Sequence, residues 1–147
     1  MILSTRSTYG VRAMLALAMH TSSKPLMVRE IAEQYHLPAT YLEQLMGLLR
    51  KAKLVTAIRG AHGGYLLARS PSEISLIEII EVLEGTLTLT DCPTSTGCCG
   101  QPDTCALQEI WYEATNALHG VLQSVSLASL VERQREKTTS TLLMYHI

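Results

Sequence analysis

A chain of 147 residues, 47% hydrophobic and 17% charged, is one domain's worth of polymer with enough apolar side chains for a core that needs no disulfide staples. The net charge of −1 conceals a division: residues 1–70 carry nine Lys and Arg against three Glu, net +6, and residues 71–147 carry three against ten Asp and Glu, net −7. A basic half of that size suits a polyanion and an acidic half suits a partner subunit, while no stretch is long and apolar enough for a membrane span.

The apolar run at residues 13–19 follows Arg6 and Arg12 and superficially resembles a secretion signal. It is short, however, and keeps a helical stripe with Tyr9 and Val11, so it reads as part of a first helix over about residues 5–21. Ser22-Ser23-Lys24-Pro25 breaks that helix. Residues 28–34 then form a short second one, with Val28, Ile31 and Ala32 on one face and Arg29, Glu30 and Glu33 on the other. Tyr35-His36-Leu37 turns the chain into Pro38, which suits a first helical turn because its missing N–H needs no partner there. Two short helices joined by a tight turn make a helix-turn-helix.

The third helix, about residues 38–53, sorts its residues by face. Leu42, Leu45, Met46 and Leu49 recur at helical spacing and belong inside, which leaves Thr40, Tyr41, Glu43, Gln44, Gly47, Arg50 and Lys51 outside. That outer set suits a DNA groove. Glu43 and Gln44 can address base edges, Thr40 and Tyr41 can bond phosphates or touch a thymine methyl, and Arg50 and Lys51 supply charge. An ordinary solvated face would also have this composition. The next segment adds specificity: two β-rich runs, residues 54–59 and 65–68, flank Gly60-Ala61-His62-Gly63-Gly64. A hairpin after a helix-turn-helix is a wing, with Arg59 at its tip suited to a narrow minor groove and His62 to a phosphate. The glycines lack the fingerprint of a nucleotide cradle and any following Lys-Ser/Thr.

In the acidic half, Ser75 and Glu78 form a capping box that opens a helix running through Leu83 and stopping at Gly85. Residues 86–103 read as a loop, and Asp103 can cap the helix after it. Along that helix Leu107, Ile110, Trp111, Ala114, Leu118, Val121 and Leu122 form a stripe with coiled-coil-like spacing that the helix cannot bury by itself, unless it serves as ordinary core of one chain. Pairing with the same helix of a second copy buries it, and a two-fold dimer matches a palindromic operator. Residues 126–131 can fold back on the same seam.

All four cysteines, Cys92, Cys98, Cys99 and Cys105, lie within three steps of sequence at the head of that helix. Four thiols in a chain without a clear export signal point to the cytoplasm and to metal or redox chemistry rather than bridges. Their five- and six-residue gaps are too long for a CxxC knuckle, so an iron-sulfur cluster, zinc and a thiol switch all stay open on composition. No nucleophile-base-orienter set is visible, and an enzyme is not expected.

Tyr41-Leu42-Glu43-Gln44-Leu45, the wing with Arg59-Gly60 and Gly63-Gly64-Tyr65-Leu66-Leu67, and the spaced cysteines together resemble the IscR-like iron-sulfur cluster regulators, a family that includes the nitric-oxide sensor NsrR. The resemblance runs from about residue 3 to residue 131. It implies a homodimeric winged-helix repressor or activator of iron-sulfur biogenesis genes, bound to double-stranded pseudo-palindromic DNA, with a cluster, 2Fe-2S in IscR-like members, controlling the operators chosen. Two departures leave the fourth cluster ligand open: Gln108 stands where IscR has a histidine, and Thr8 stands where NsrR-like members have a carboxylate. Asp91, Asp103, Glu109 and Gln108 are fallback ligands, and either Cys98 or Cys99 keeps the register. The expected fold is mainly α with a small β wing: a winged helix-turn-helix domain over residues 1–85, a cysteine-rich cluster-binding loop over 86–103, a dimerisation helix and return segment over 104–132, and a tail, 133–147, without assignment.

Overall fold

The computed structural model describes residues 3–90 and 105–145. The run at residues 13–19 is the heart of α1 (Thr5–Met19), whose Ala13 and Met14 are fully buried. Helix α2 (Val28–Tyr35) buries Val28, Ile31 and Ala32, and α3 (Ala39–Lys51) buries Leu42, Leu45, Met46 and Leu49, so both apolar stripes face the core as their spacing requires. Between them His36 adopts a left-handed conformation, φ 53°, and Leu37 N–H donates to Ala32 O at 2.8 Å, which closes the tight turn.

Helix α3 ends the same way. Lys53 is left-handed at φ 60°, its N–H donates to Arg50 O at 3.0 Å, and Leu54 N–H donates to Leu49 O at 3.0 Å. That bonding pattern normally has glycine at the left-handed position, because any Cβ there costs about 1–2 kcal/mol. The turn delivers Leu54 and Val55 into the core and starts the wing, β1 (Val55–Ile58) paired antiparallel with β2 (Gly64–Leu67).

The wing is tied to the body by a connection the sequence pattern does not announce. Leu26 N–H donates to Tyr65 O at 3.0 Å and Tyr65 N–H to Leu26 O at 2.9 Å, which adds the α1–α2 connector to the free edge of β2. Gly64 permits that approach: its φ is 151°, and a Cβ there would lie 2.5 Å from Leu26 O. Gly64→Ala is therefore expected to destabilise the protein by about 2–4 kcal/mol, read as a lower urea midpoint; an unchanged midpoint would remove the bridge from the account.

A short 3-10 turn (Pro71–Glu73) leads into α4 (Leu76–Glu84). The Ser75 hydroxyl accepts from Glu78 N–H at 3.4 Å, but the Glu78 carboxylate pairs with Arg69 instead of closing the capping box. Helix α4 packs on α1 where Gly10 leaves no side chain between them: a Cβ at Gly10 would meet Leu83 Cδ1 at 2.1 Å. The contact is fixed at one end by Glu84, which accepts from Ser4 N–H at 2.9 Å and from the Ser4 and Ser7 hydroxyls at 2.5 Å each. These bonds, Ser4 first and then Ser7, hold the Glu84 carboxyl below the usual range against the smaller opposing effect of burial.

Helix α5 (Ala106–Ser124) starts with Cys105 at its cap position, and the expected Asp103 cap lies outside the described residues. Residues 126–131 turn back onto the winged domain rather than along α5. Leu76 N–H donates to Val125 O and Leu127 N–H to Ile74 O, both at 2.8 Å, stapling the turn after α5 to the entry of α4. Leu127 is then 1% exposed in the same core as α1, with Leu130 packed against it. The residues after 132, without assignment in the sequence pattern, continue α6 (Leu127–Tyr145).

Candidate nucleic-acid interface and cysteine site

Thr40, Glu43 and Gln44 are exposed on α3, and so are Arg50 and Lys51 in its last turn. A Cβ on Gly47 would meet nothing within 4 Å, so this face is open where a groove wall would pass. Tyr41 differs from its neighbours. It is half-buried, with its ring edge-on to Tyr9 at a centroid distance of 6.1 Å and an interplanar angle of 78°, and part of its work is to seat α3 on α1.

Arg59, exposed just beyond β1, opens the turn that Gly63 N–H closes on Gly60 O at 3.0 Å. His62 is exposed on the same turn and lines a cleft of about 550 Å³ with Lys24, Met27 and Glu30 at the start of α2. A second cleft, about 410 Å³, lies where α3 meets the wing and brings Arg50 and Arg59 together with Lys53. Lys53 was not among the residues anticipated from the sequence; its only signal there is a place one helical turn after Arg50.

Of the thiols, Cys105 is half-buried at the head of α5, makes no side-chain cap bond, and accepts from Gln108 N–H on its carbonyl at 3.1 Å. Cys92, Cys98 and Cys99 lie outside the described residues, as do Asp91 and Asp103. Among the described residues no group of three or more His, Cys, Asp or Glu is placed to hold a metal. Glu109 is exposed in the first turn of α5, and Thr8 is exposed on α1 beside Arg12, lining a groove with Val11, Ile80 and Leu130.

The chain leading to the first cysteine is anchored. Leu87 is buried against Ile77 and Ile80 of α4 and Leu122 of α5. Its carbonyl lies 2.7 Å from His119 Nε2, whose ring is 3.9 Å from the Glu81 carboxylate, and Leu89 N–H donates to the buried Thr115 hydroxyl at 3.5 Å. Both ends of the cysteine segment therefore rest on α5, one through its cap and the other through its middle.

The rest of the α5 stripe divides. Leu122 packs on α4 and Trp111, Ala114 and Leu118 are half-buried, whereas Leu107, Ile110 and Val121 are more than half exposed, at 56%, 54% and 63%. Leu107, Ile110 and Val121 thus form an apolar row on the surface of the single chain.

A helix-turn-helix whose last helix opens a polar face, followed by a basic-tipped hairpin seated on the same core, defines a winged-helix transcription regulator. The family model for Rrf2, described as an iron-dependent transcriptional regulator, matches residues 3–133, and the chain belongs to that family. It is an IscR-like member. It is 37% identical over 131 residues to protein rrf2 of Nitratidesulfovibrio vulgaris, covering 89% of this chain and 87% of that one. Against the HTH-type transcriptional regulator IscR of Photorhabdus laumondii the identity is 37% over 134 residues, covering 91% and 81%. Among solved structures, IscR of T. potens superposes with a TM-score of 0.76 at 38% identity over 93% of this chain and 90% of that one. CymR, the global cysteine regulator of B. subtilis, superposes with the same TM-score of 0.76 at 36% identity, covering 90% and 98%. No helix among the described residues is long and apolar enough to cross a membrane.

Proposed function

We propose that this chain is a cytoplasmic, homodimeric regulator of iron-sulfur biogenesis genes, in which an iron-sulfur cluster held by Cys92, Cys105 and one or both of Cys98 and Cys99 sets which operators are bound. The observation that carries it is the placing of Cys105 at the head of the very helix whose middle, through Thr115 and His119, holds the chain leading to Cys92. Thiolates five and six residues apart suit a cluster, 2Fe-2S on the resemblance to IscR-like members, better than a zinc tetrahedron, and such a cluster supplies sensitivity to oxidants and to iron supply. Because the same helix packs on α4, and α4 on α1 and α3, a change in the loop has a packed route to the DNA-reading face.

On the DNA side, Gln44 and Glu43 read base edges, Arg59 enters the minor groove, and Thr40, Tyr41, Arg50, Lys51 and His62 bond the backbone of a pseudo-palindromic duplex. Binding to a randomised operator library at two salt concentrations tests this. Gln44→Ala is expected to cost about 1–3 kcal/mol on the preferred operator and much less on random DNA. Glu43→Ala is expected to broaden the bound set, because the carboxylate accepts from cytosine N4 and repels acceptor edges and phosphates. Arg59→Ala should weaken many sequences together and reduce the salt slope by roughly one. Uniform losses for Gln44→Ala, or an unchanged site profile for Glu43→Ala, would show that α3 does not read bases.

The likeness to CymR, a cysteine regulator, favours a second reading in which the thiols respond directly to redox state; control by docking of a metabolic enzyme, with the thiols incidental, is a further alternative. A nitric-oxide sensor is a third, closer to the first. Iron and acid-labile sulfide in anaerobically purified protein separate the cluster readings from the second.

A further inference from the structure

The left-handed turn at the end of α3 holds a lysine where the fold asks for glycine, and the side chain it carries lines a cleft with two other cations. We propose that Lys53, Arg50 and Arg59 form one clamp for a single backbone phosphate at the edge of the minor groove, at the junction of α3 and the wing, with Arg59 holding that phosphate where its side chain enters the groove. This deepens the DNA-binding reading above and rests on it.

Three observations carry the assignment. The first is conformational: Lys53 sits at φ 60° with its N–H on Arg50 O and its neighbour's N–H on Leu49 O, the position where glycine has no Cβ penalty. Such an outlier points to function when its side chain meets others of its kind, as this one does in the cleft. The second is electrostatic. The cleft is lined by Arg50, Lys53 and Arg59 with no acidic residue, and none of the three has a carboxylate partner among the described ion pairs. Cations at a helix C-terminus ordinarily serve the helix dipole, but Arg50 and Lys51 in the last turn already meet that need without strain. Three like charges around one concavity repel until an anion enters. The third is placement: Arg50 belongs to the helix that presents Gln44 and Glu43, and Arg59 to the wing, so one phosphate held between them would fix the angle at which helix and wing straddle the backbone. Thr56, exposed on β1, adds a hydroxyl to the same wall.

The test uses the full chain, a duplex about three helical turns long with a randomised centre, and the variants Lys53→Gln, Lys53→Arg and Lys53→Gly. Lys53→Gln is expected to weaken binding by the same factor across sequences and to make the plot of log affinity against log salt shallower by about one, with Lys53→Arg restoring the slope. Lys53→Gly is expected to show the same loss of slope with a melting temperature equal to or above that of the unaltered protein, since it relieves the left-handed strain while removing the charge. A Lys53→Gln slope equal to the unaltered one would overturn the clamp, and so would a Lys53→Gly variant that melts lower, because the lysine would then be holding the fold. If the unaltered chain itself shows no salt-dependent binding to the duplex, the DNA reading fails before the clamp is reached.

Discussion

The Cys92→Ala/Cys105→Ala double variant is expected to leave anaerobic purification colourless, with iron and acid-labile sulfide at background. Each substitution removes a thiolate from a set of at most four, and no cluster of other potential ligands stands nearby among the described residues to replace them. Loss of a group that merely orients a metal ligand already costs about 10–100-fold in affinity, so loss of two ligands should be complete within detection. The result would be interpretable because Cys105 makes no side-chain cap bond at the head of α5, and removing its sulfur takes no hydrogen bond from the helix. Cys98→Ala and Cys99→Ala are expected to differ from one another, since adjacent residues splay their side chains and one register suffices. Full retention of iron and sulfide in the double variant would sink the cluster assignment and leave the direct thiol reading in place.

Ile110→Glu together with Leu118→Glu should convert a dimer to a monomer. Ile110 is 54% exposed in the single chain and Leu118 is half-buried on the same face, so neither is part of the core that folds the protomer. In the proposed two-fold dimer each new carboxylate enters the seam twice, and an unpaired charge buried in such a seam costs about 3–5 kcal/mol. Even one such charge raises the dissociation constant at least about a hundredfold. Sedimentation velocity at micromolar concentration reads the outcome, with helical circular dichroism and melting temperature as the control for folding. A variant that stays dimeric would place the seam off α5. A monomer that still bound a palindromic site as tightly as before would break the link between the dimer and the operator.

Much of the architecture could be read from periodicity and punctuation. The stripes of α2 and α3, the break at Pro25, the glycine turn of the wing and the Ser75-to-Gly85 boundaries of α4 are local: each needs only neighbours within a turn or two. The exposed face of α3 was legible for the same reason, because four inward leucine and methionine positions leave the others no alternative. Tyr41 was assigned wholly to that face and is in part a packing residue, since its partner Tyr9 lies on another helix at a distance no sequence spacing encodes. Leu122 joined the α5 stripe by period but packs on α4, because a helix nineteen residues long can give different stretches of one face to different partners.

What the amino-acid pattern determined by itself was therefore the elements as far as α5, the charge division between the two halves, and the family to which the combination of motifs belongs. Only the tertiary structure decided the connections between them: Leu26 on the edge of β2, the Ser75–Ser126 bridge that turns α6 back onto α1, the Thr115 and His119 hold on the chain entering the cysteine segment, and the gathering of Arg50, Lys53 and Arg59 into one cleft. These pair residues far apart in the chain through backbone bonds and side-chain directions, which a hydrophobic period does not specify. The left-handed turn at Lys53 shows the reason most directly. The local preference there is for glycine, and a lysine is tolerated because core packing of Leu54 and Val55 over-determines the turn and leaves its charge facing out.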